Sequence, residues 1–191
     1  MDVLDRVRAG ALGHFGVQTA DAASVTFLGL EPIDILRVPD GELVHYVTLG
    51  GSRHPMTDPT AALADPVRGP RAELVLTLRG GAGAGSGLTR TLGVLVAAPS
   101  VEGVVLQPDA LLDLSEPLWA DAPFTAVLLG ESGIAEVVLP EPAEPVRFLA
   151  AVPITATEAA WVRIRGASAL RDAWAEADID VRDPGRSAAS L

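Results

Sequence analysis

The chain has 191 residues, 14 of them basic and 25 acidic, for a formal charge of −11 at pH 7. It has no Cys and all of its basic residues are Arg, which excludes disulfides, thiolate metal sites, Schiff-base or phosphate-loop lysines and a Cys nucleophile. The start Met1-Asp2-Val3-Leu4-Asp5-Arg6 lacks the apolar core of a signal peptide, and no apolar run approaches the roughly 18 residues of a membrane span, so a cytoplasmic protein with no membrane partner is expected.

In chain order, the apolar spacing of Val3, Leu4, Val7 and Ala11 predicts an amphipathic helix over 2–12. Strands are expected over 24–30, 33–38 and 44–49, the last two joined by the turn Pro39-Asp40-Gly41-Glu42. The alternating run Glu73-Leu74-Val75-Leu76-Thr77-Leu78 predicts another strand, ahead of the flexible run Gly80 to Gly87. Leu88, Leu92 and Leu95 predict a helix that stops at Pro99. Short apolar runs at 104–106, 124–129, 134–139 and 146–152 predict a meander of strands. Thr155-Ala156-Thr157-Glu158 has capping-box spacing and opens a helix in which Trp161 and Ile164 face inward. After a break at Gly166, Leu170, Ala173, Trp174 and Ala177 resume the stripe. Strands outnumber helices without alternating with them, so the expected fold is α+β: a mixed, mostly antiparallel sheet flanked by a few helices. One domain is expected over 1–183, with 184–191 as a flexible C-terminal tail.

The segments Ile33-Asp34-Ile35-Leu36, Tyr46-Val47-Thr48-Leu49-Gly50-Gly51-Ser52 with Pro55-Met56, Arg71-Ala72-Glu73-Leu74-Val75-Leu76, Phe148 to Ile154 and Asp183-Pro184-Gly185-Arg186 follow one another in a familiar order. Together they resemble the suppressor-of-fused domain family in its bacterial, single-domain form, over roughly residues 25 to 186. The family more often has Met where this chain has Gly51. The resemblance implies a protein-binding domain without catalysis. Animal members sequester transcription factors by taking a peptide as a strand between two lobes, and the present chain resembles the N-terminal lobe alone. Bacterial relatives are often inferred to be immunity proteins that neutralise a toxin.

Several local signals bear on chemistry. The run at 80–87 stands between a strand and a helix, where a phosphate loop would sit, but it reads Gly-x-Gly-x-Gly with no following Lys. A phosphate would find only backbone N–H groups and Arg90 there, so a flexible connection is expected. Gly130-Glu131-Ser132-Gly133 is not a nucleophile elbow, because it lacks the second Gly in place and no His follows it. His45, His54 and Asp58 are the alternative reading, a small-molecule or metal-dependent site, although His45 shares its strand parity with Val47 and Leu49, as a buried imidazole would. No cofactor is expected.

Charge placement points elsewhere. From Thr91 to Val146 there is no Arg, Lys or His but there are nine acids, which carry −9 of the total −11. Such a stretch repels nucleic acid and suits a basic protein partner. Asp109, Asp113, Glu116 and Asp121 are the expected complementary charges, with Trp119 as an anchor beside them.

Overall fold

The computed structural model describes residues 2–191. Helix α1 spans Val3–Phe15, with Asp2 Oδ1 accepting from the Val3 N–H at 2.7 Å. It runs a turn further than the apolar spacing predicts and ends at Gly16, whose φ of 66° places it in the left-handed cap. Strands β1 (Asp21–Val25), β2 (Ile33–Asp40) and β3 (Leu43–Leu49) form an antiparallel meander. The strand expected over 24–30 lies earlier, at Asp21–Val25, because the chain turns at Leu28-Gly29, where the Leu30 N–H donates to Phe27 O and the Phe27 ring lies against Gly93 of the helix opposite.

After β4 (Arg71–Arg79) and the glycine-rich loop comes α2 (Leu88–Glu102). Pro99 does not stop this helix, which continues to a left-handed cap at Gly103, whose N–H donates to the Pro99 carbonyl. Residues 104–106 are irregular, and the next strand is β5 (Leu111–Asp113), ahead of β6 (Ala126–Glu131) and β7 (Val146–Ile154). The strand expected at 134–139 reduces to one bridge, Val137 to Val146. Helices α3 (Ala156–Arg165) and α4 (Ala167–Glu176) close the fold, and both halves of the Thr155–Glu158 capping box are formed. In α3 it is Ala159 and Val162 that are buried, while Ile164 points to solvent, a rotation from the predicted face. No helix among the described residues is long and apolar enough to cross a membrane.

The seven strands make one sheet in the order β1-β2-β3-β4-β7-β6-β5. Only β4 and β7 pair in parallel; every other pair is antiparallel, giving the expected mixed, mostly antiparallel α+β fold. Helix α2 covers one face through Leu88, Leu92, Leu95 and Val96, against Ile35, Tyr46, Leu74, Leu76 and Leu149. On the other face α1 packs Val7 and Ala11 on Leu36, Val47 and Phe148, and α3–α4 pack Leu170 and Trp174 on Ala126 and Leu128. Burying each large apolar side chain is worth about 1.5–3 kcal/mol, so the sheet with both faces covered is the main source of stability.

Candidate functional site

The acidic segment, which begins in α2, contains β5, the last strand of the sheet. β5 pairs with β6 alone, Leu111 opposite Leu128 and Asp113 opposite Ala126. Leu114 donates to Thr125 O at 3.0 Å and Ala110 O accepts from Leu129 at 2.9 Å, so those backbones face β6. By antiparallel alternation the N–H and C=O groups of Leu111 and Asp113 then face outward from the sheet. Its faces are occupied: Leu111 joins the α3–α4 cluster and Leu112 the α2 cluster.

The predicted site residues distribute around this edge strand unequally. Asp113 is its last residue and accepts from Arg163 at 2.7 Å and from the Ser115 N–H at 2.8 Å. These bonds, the one from Arg163 foremost, hold its carboxyl below the usual range. Asp109 is paired with Arg171 of α4. Glu116 and Asp121 are exposed and without an ion-pair partner among the described residues. Trp119 is a correction: expected as an accessible anchor, it is 8% exposed, its ring 5.6 Å from that of Phe124 inside the α2 core. Aromatic anchoring is therefore not available from this loop, whose exposed residues are Ser115, Glu116, Pro117, Ala120, Asp121 and Pro123. The arginines that neutralise Asp113 and Asp109 lie 50 and 62 residues along the chain, and no spacing in the sequence announces them.

The His45, His54 and Asp58 grouping is not assembled. His45 stacks on Phe15 at 4.5 Å, its Nδ1 is 2.8 Å from Thr77 Oγ1 and its Nε2 is 3.5 Å from Asp40. Burial lowers its pKa, against the pull of Asp40. His54 instead bonds Glu31 at 2.8 Å, and Asp58 turns back on Thr60, accepting from its N–H at 2.8 Å. Among the described residues no group of three or more His, Cys, Asp or Glu is placed to hold a metal.

Two buried carboxylates account for other polar residues as architecture. Glu73, wholly buried on β4, accepts from the Gly50 and Ser52 N–H groups at 2.8 and 2.9 Å and from the Thr48 and Ser52 hydroxyls at 2.6 and 2.5 Å. Burial pushes its pKa up, and these donors oppose the shift without cancelling it. Glu158, also fully buried, accepts from Arg186 at 2.8 Å, from Trp174 Nε1 at 3.0 Å and from the Ala189 N–H at 3.1 Å. The end of the chain, expected as a flexible tail from 184, is thus docked at Arg186 and Ala189, which are 7% and 6% exposed. Ser132, in the segment excluded as a nucleophile elbow, donates its hydroxyl to Phe148 O at 2.7 Å.

The solved structures similar to this one include a SUFU homologue from Neisseria gonorrhoeae FA 1090, at 17% identity and a TM-score of 0.69, over 98% of this chain and 96% of that one. A Sufu–Fu complex matches at 14% identity and a TM-score of 0.67, covering 97% and 91% of the two chains. Drosophila Suppressor of Fused matches at 14% identity and a TM-score of 0.55, over 84% of this chain but 43% of its own. At these identities the likeness is one of fold. No curated protein matches the sequence. The model of the suppressor of fused protein (SUFU) family matches residues 29–187, from the turn before β2 to just past Arg186, which docks the C-terminus. The chain belongs to the suppressor of fused protein family.

Proposed function

We propose that this protein is a non-enzymatic, cytoplasmic binding domain whose acidic sheet edge docks a basic protein, the chemistry expected of a toxin held by an immunity protein. One observation carries the reading: the acid-rich segment and the last strand of the sheet are the same piece of chain. An edge strand offers backbone hydrogen bonds to an incoming strand, and Glu116 and Asp121 beside it remain free to attract positive charge. Asp109 and Asp113 contribute through their pairs with Arg171 and Arg163, which a partner's arginine would exchange. Family membership supports a binding role, as does the similarity to a protein solved as a Sufu–Fu complex.

The test is association kinetics on charge variants. Glu116→Arg combined with Asp121→Asn should slow association with the basic partner about tenfold and flatten its salt dependence, because long-range attraction acts mainly on the encounter rate. Asn is the choice at 121 because the φ of 63° there is one that Asn tolerates. The melting temperature should stay within about 2 °C of the parent, as for surface substitutions generally. Unchanged association with a folded double variant would defeat the proposal.

A further inference from the structure

The Ala120 N–H, next to Asp121, donates at 2.8 Å to the Ser86 carbonyl, and Ser86 is in turn one wall of a cleft that holds two arginines. Of the 14, eight are ion-paired: Arg8, Arg53, Arg79, Arg147, Arg163, Arg171, Arg182 and Arg186. Arg71 bonds backbone carbonyls, and Arg6, Arg37, Arg68, Arg90 and Arg165 make neither an ion pair nor a side-chain hydrogen bond among the described residues; of these, Arg37 on β2 and Arg90 on α2 are exposed neighbours of one space. They come from different elements, yet both line one cleft of about 580 Å³. Asp21 stands opposite Arg37 in the β1–β2 ladder but does not pair with it. From Gly80 to Val101 there is no acidic residue, so the loop and most of α2 bring no negative charge to the cleft. In a chain of 25 acids, what sets Arg37 and Arg90 apart is that they share one cleft whose lining includes no carboxylate.

The cleft is kept open by its own chemistry. Tyr46 Oη accepts from the Ala82 N–H at 3.0 Å and donates to the Ala82 carbonyl at 3.2 Å, pinning the loop against β3. At Gly81 a Cβ would fall 2.8 Å from that phenol oxygen, and the φ of 71° there also favours glycine. The loop therefore passes close to the sheet, and its Gly and Ala residues leave the space beside it unfilled.

We propose that this cleft binds a small phosphate-bearing anion, clamped between Arg37 and Arg90. A guanidinium presents a planar fork that matches two phosphate oxygens at once. The hydroxyls of Ser86 and Thr89, which also line the cleft, add neutral donors. Its volume lies within the roughly 300–1,000 Å³ of small-molecule sites. The overall charge of −11 repels extended polyanions at long range, which selects a small ligand over nucleic acid. The sequence alone places only Arg90 beside the loop; the β2–β3 hairpin supplies Arg37 and Tyr46.

Isothermal titration of the full chain with pyrophosphate and with inorganic phosphate, at constant ionic strength, tests the proposal. Saturable one-to-one binding of pyrophosphate is expected. Arg37→Gln or Arg90→Gln should each weaken it at least tenfold and the double variant should abolish it. Arg68→Gln, at an arginine that does not line the cleft, should leave it unchanged, and circular dichroism confirms that each variant is folded. Absence of saturable binding to the parent chain, or equal affinity in the folded double variant, would overturn the proposal.

Discussion

Glu158 is the third residue of α3 and the acid of its capping box, and also the counter-ion of a guanidinium 28 positions later. Burial is the largest influence on its carboxyl and favours the neutral form, but the bonds from Arg186, Trp174, Thr155 and Ala189 together outweigh it and hold the pKa below its ordinary value. A depressed carboxyl stabilises the fold above its unfolded pKa, and that share is lost as pH falls through the folded value. Arg186→Met should therefore cost about 3–5 kcal/mol near neutral pH, since it leaves a buried carboxylate unpaired. Urea denaturation measures this, and a loss that shrinks in acid is the expected pattern. Glu73 has the opposite sign. Its pKa is raised, so its contribution is full at low pH and declines as pH rises through the folded value. Glu73→Gln should destabilise the protein through the clip on Gly50 and Ser52, with a gap to the parent that narrows as pH rises from the usual carboxylate range; a widening gap in paired urea titrations would contradict this. Trp119→Ala should cost about 3–5 kcal/mol of stability, as truncation of a buried aromatic does, with no selective loss of partner affinity. The capping box was legible because its two members are three residues apart. The partner of Glu158 was not, because only the folded path of the C-terminus brings Arg186 to it.

At the scale of elements, the strands with clear alternation, β2, β3 and β4, lie close to where their periodicity puts them. They are central strands, and burial of their apolar residues writes the pattern directly into the sequence. The edges are less legible. β1 has four exposed residues in five and β5 is three residues long, so neither carries a period that could be recognised. Helix α2 passes Pro99 because a proline in the last turn forfeits one hydrogen bond while Ala97 and Ala98 stay buried around it. The approach of α2 to the β3–β4 connection is close enough to exclude side chains. A Cβ at Gly51 would lie 2.4 Å from Val96 Cγ2 and 3.0 Å from the Ala72 carbonyl. Gly51→Ala should accordingly destabilise by about 1–3 kcal/mol through overpacking, measurable by thermal or urea unfolding; Gly13→Ala, with nothing within 4 Å of the added methyl, serves as the contrasting variant.

For the whole molecule the decisive quantity is where charge is left uncompensated. The excess of acids over the segment 91–146 was legible by counting, but its effective size was not, because arginines from α3, α4 and β7 neutralise Asp113, Asp109 and Glu131 across the fold. What remains unpaired in the loop that follows β5 is Glu116 and Asp121, and β5 itself is an edge strand that pairs on one side only. A binding surface of this kind draws its speed from charge and its register from backbone hydrogen bonds. It should be most sensitive to salt when the edge is intact. The most direct measurement is affinity capture from native lysate at low and high salt, run side by side with the parent chain and the folded Glu116→Arg, Asp121→Asn variant. A basic protein held by the parent at low salt, released at high salt and lost from the variant is the predicted result. Equal retention by both chains, or no protein retained by the folded parent at either salt, would contradict an acidic docking edge.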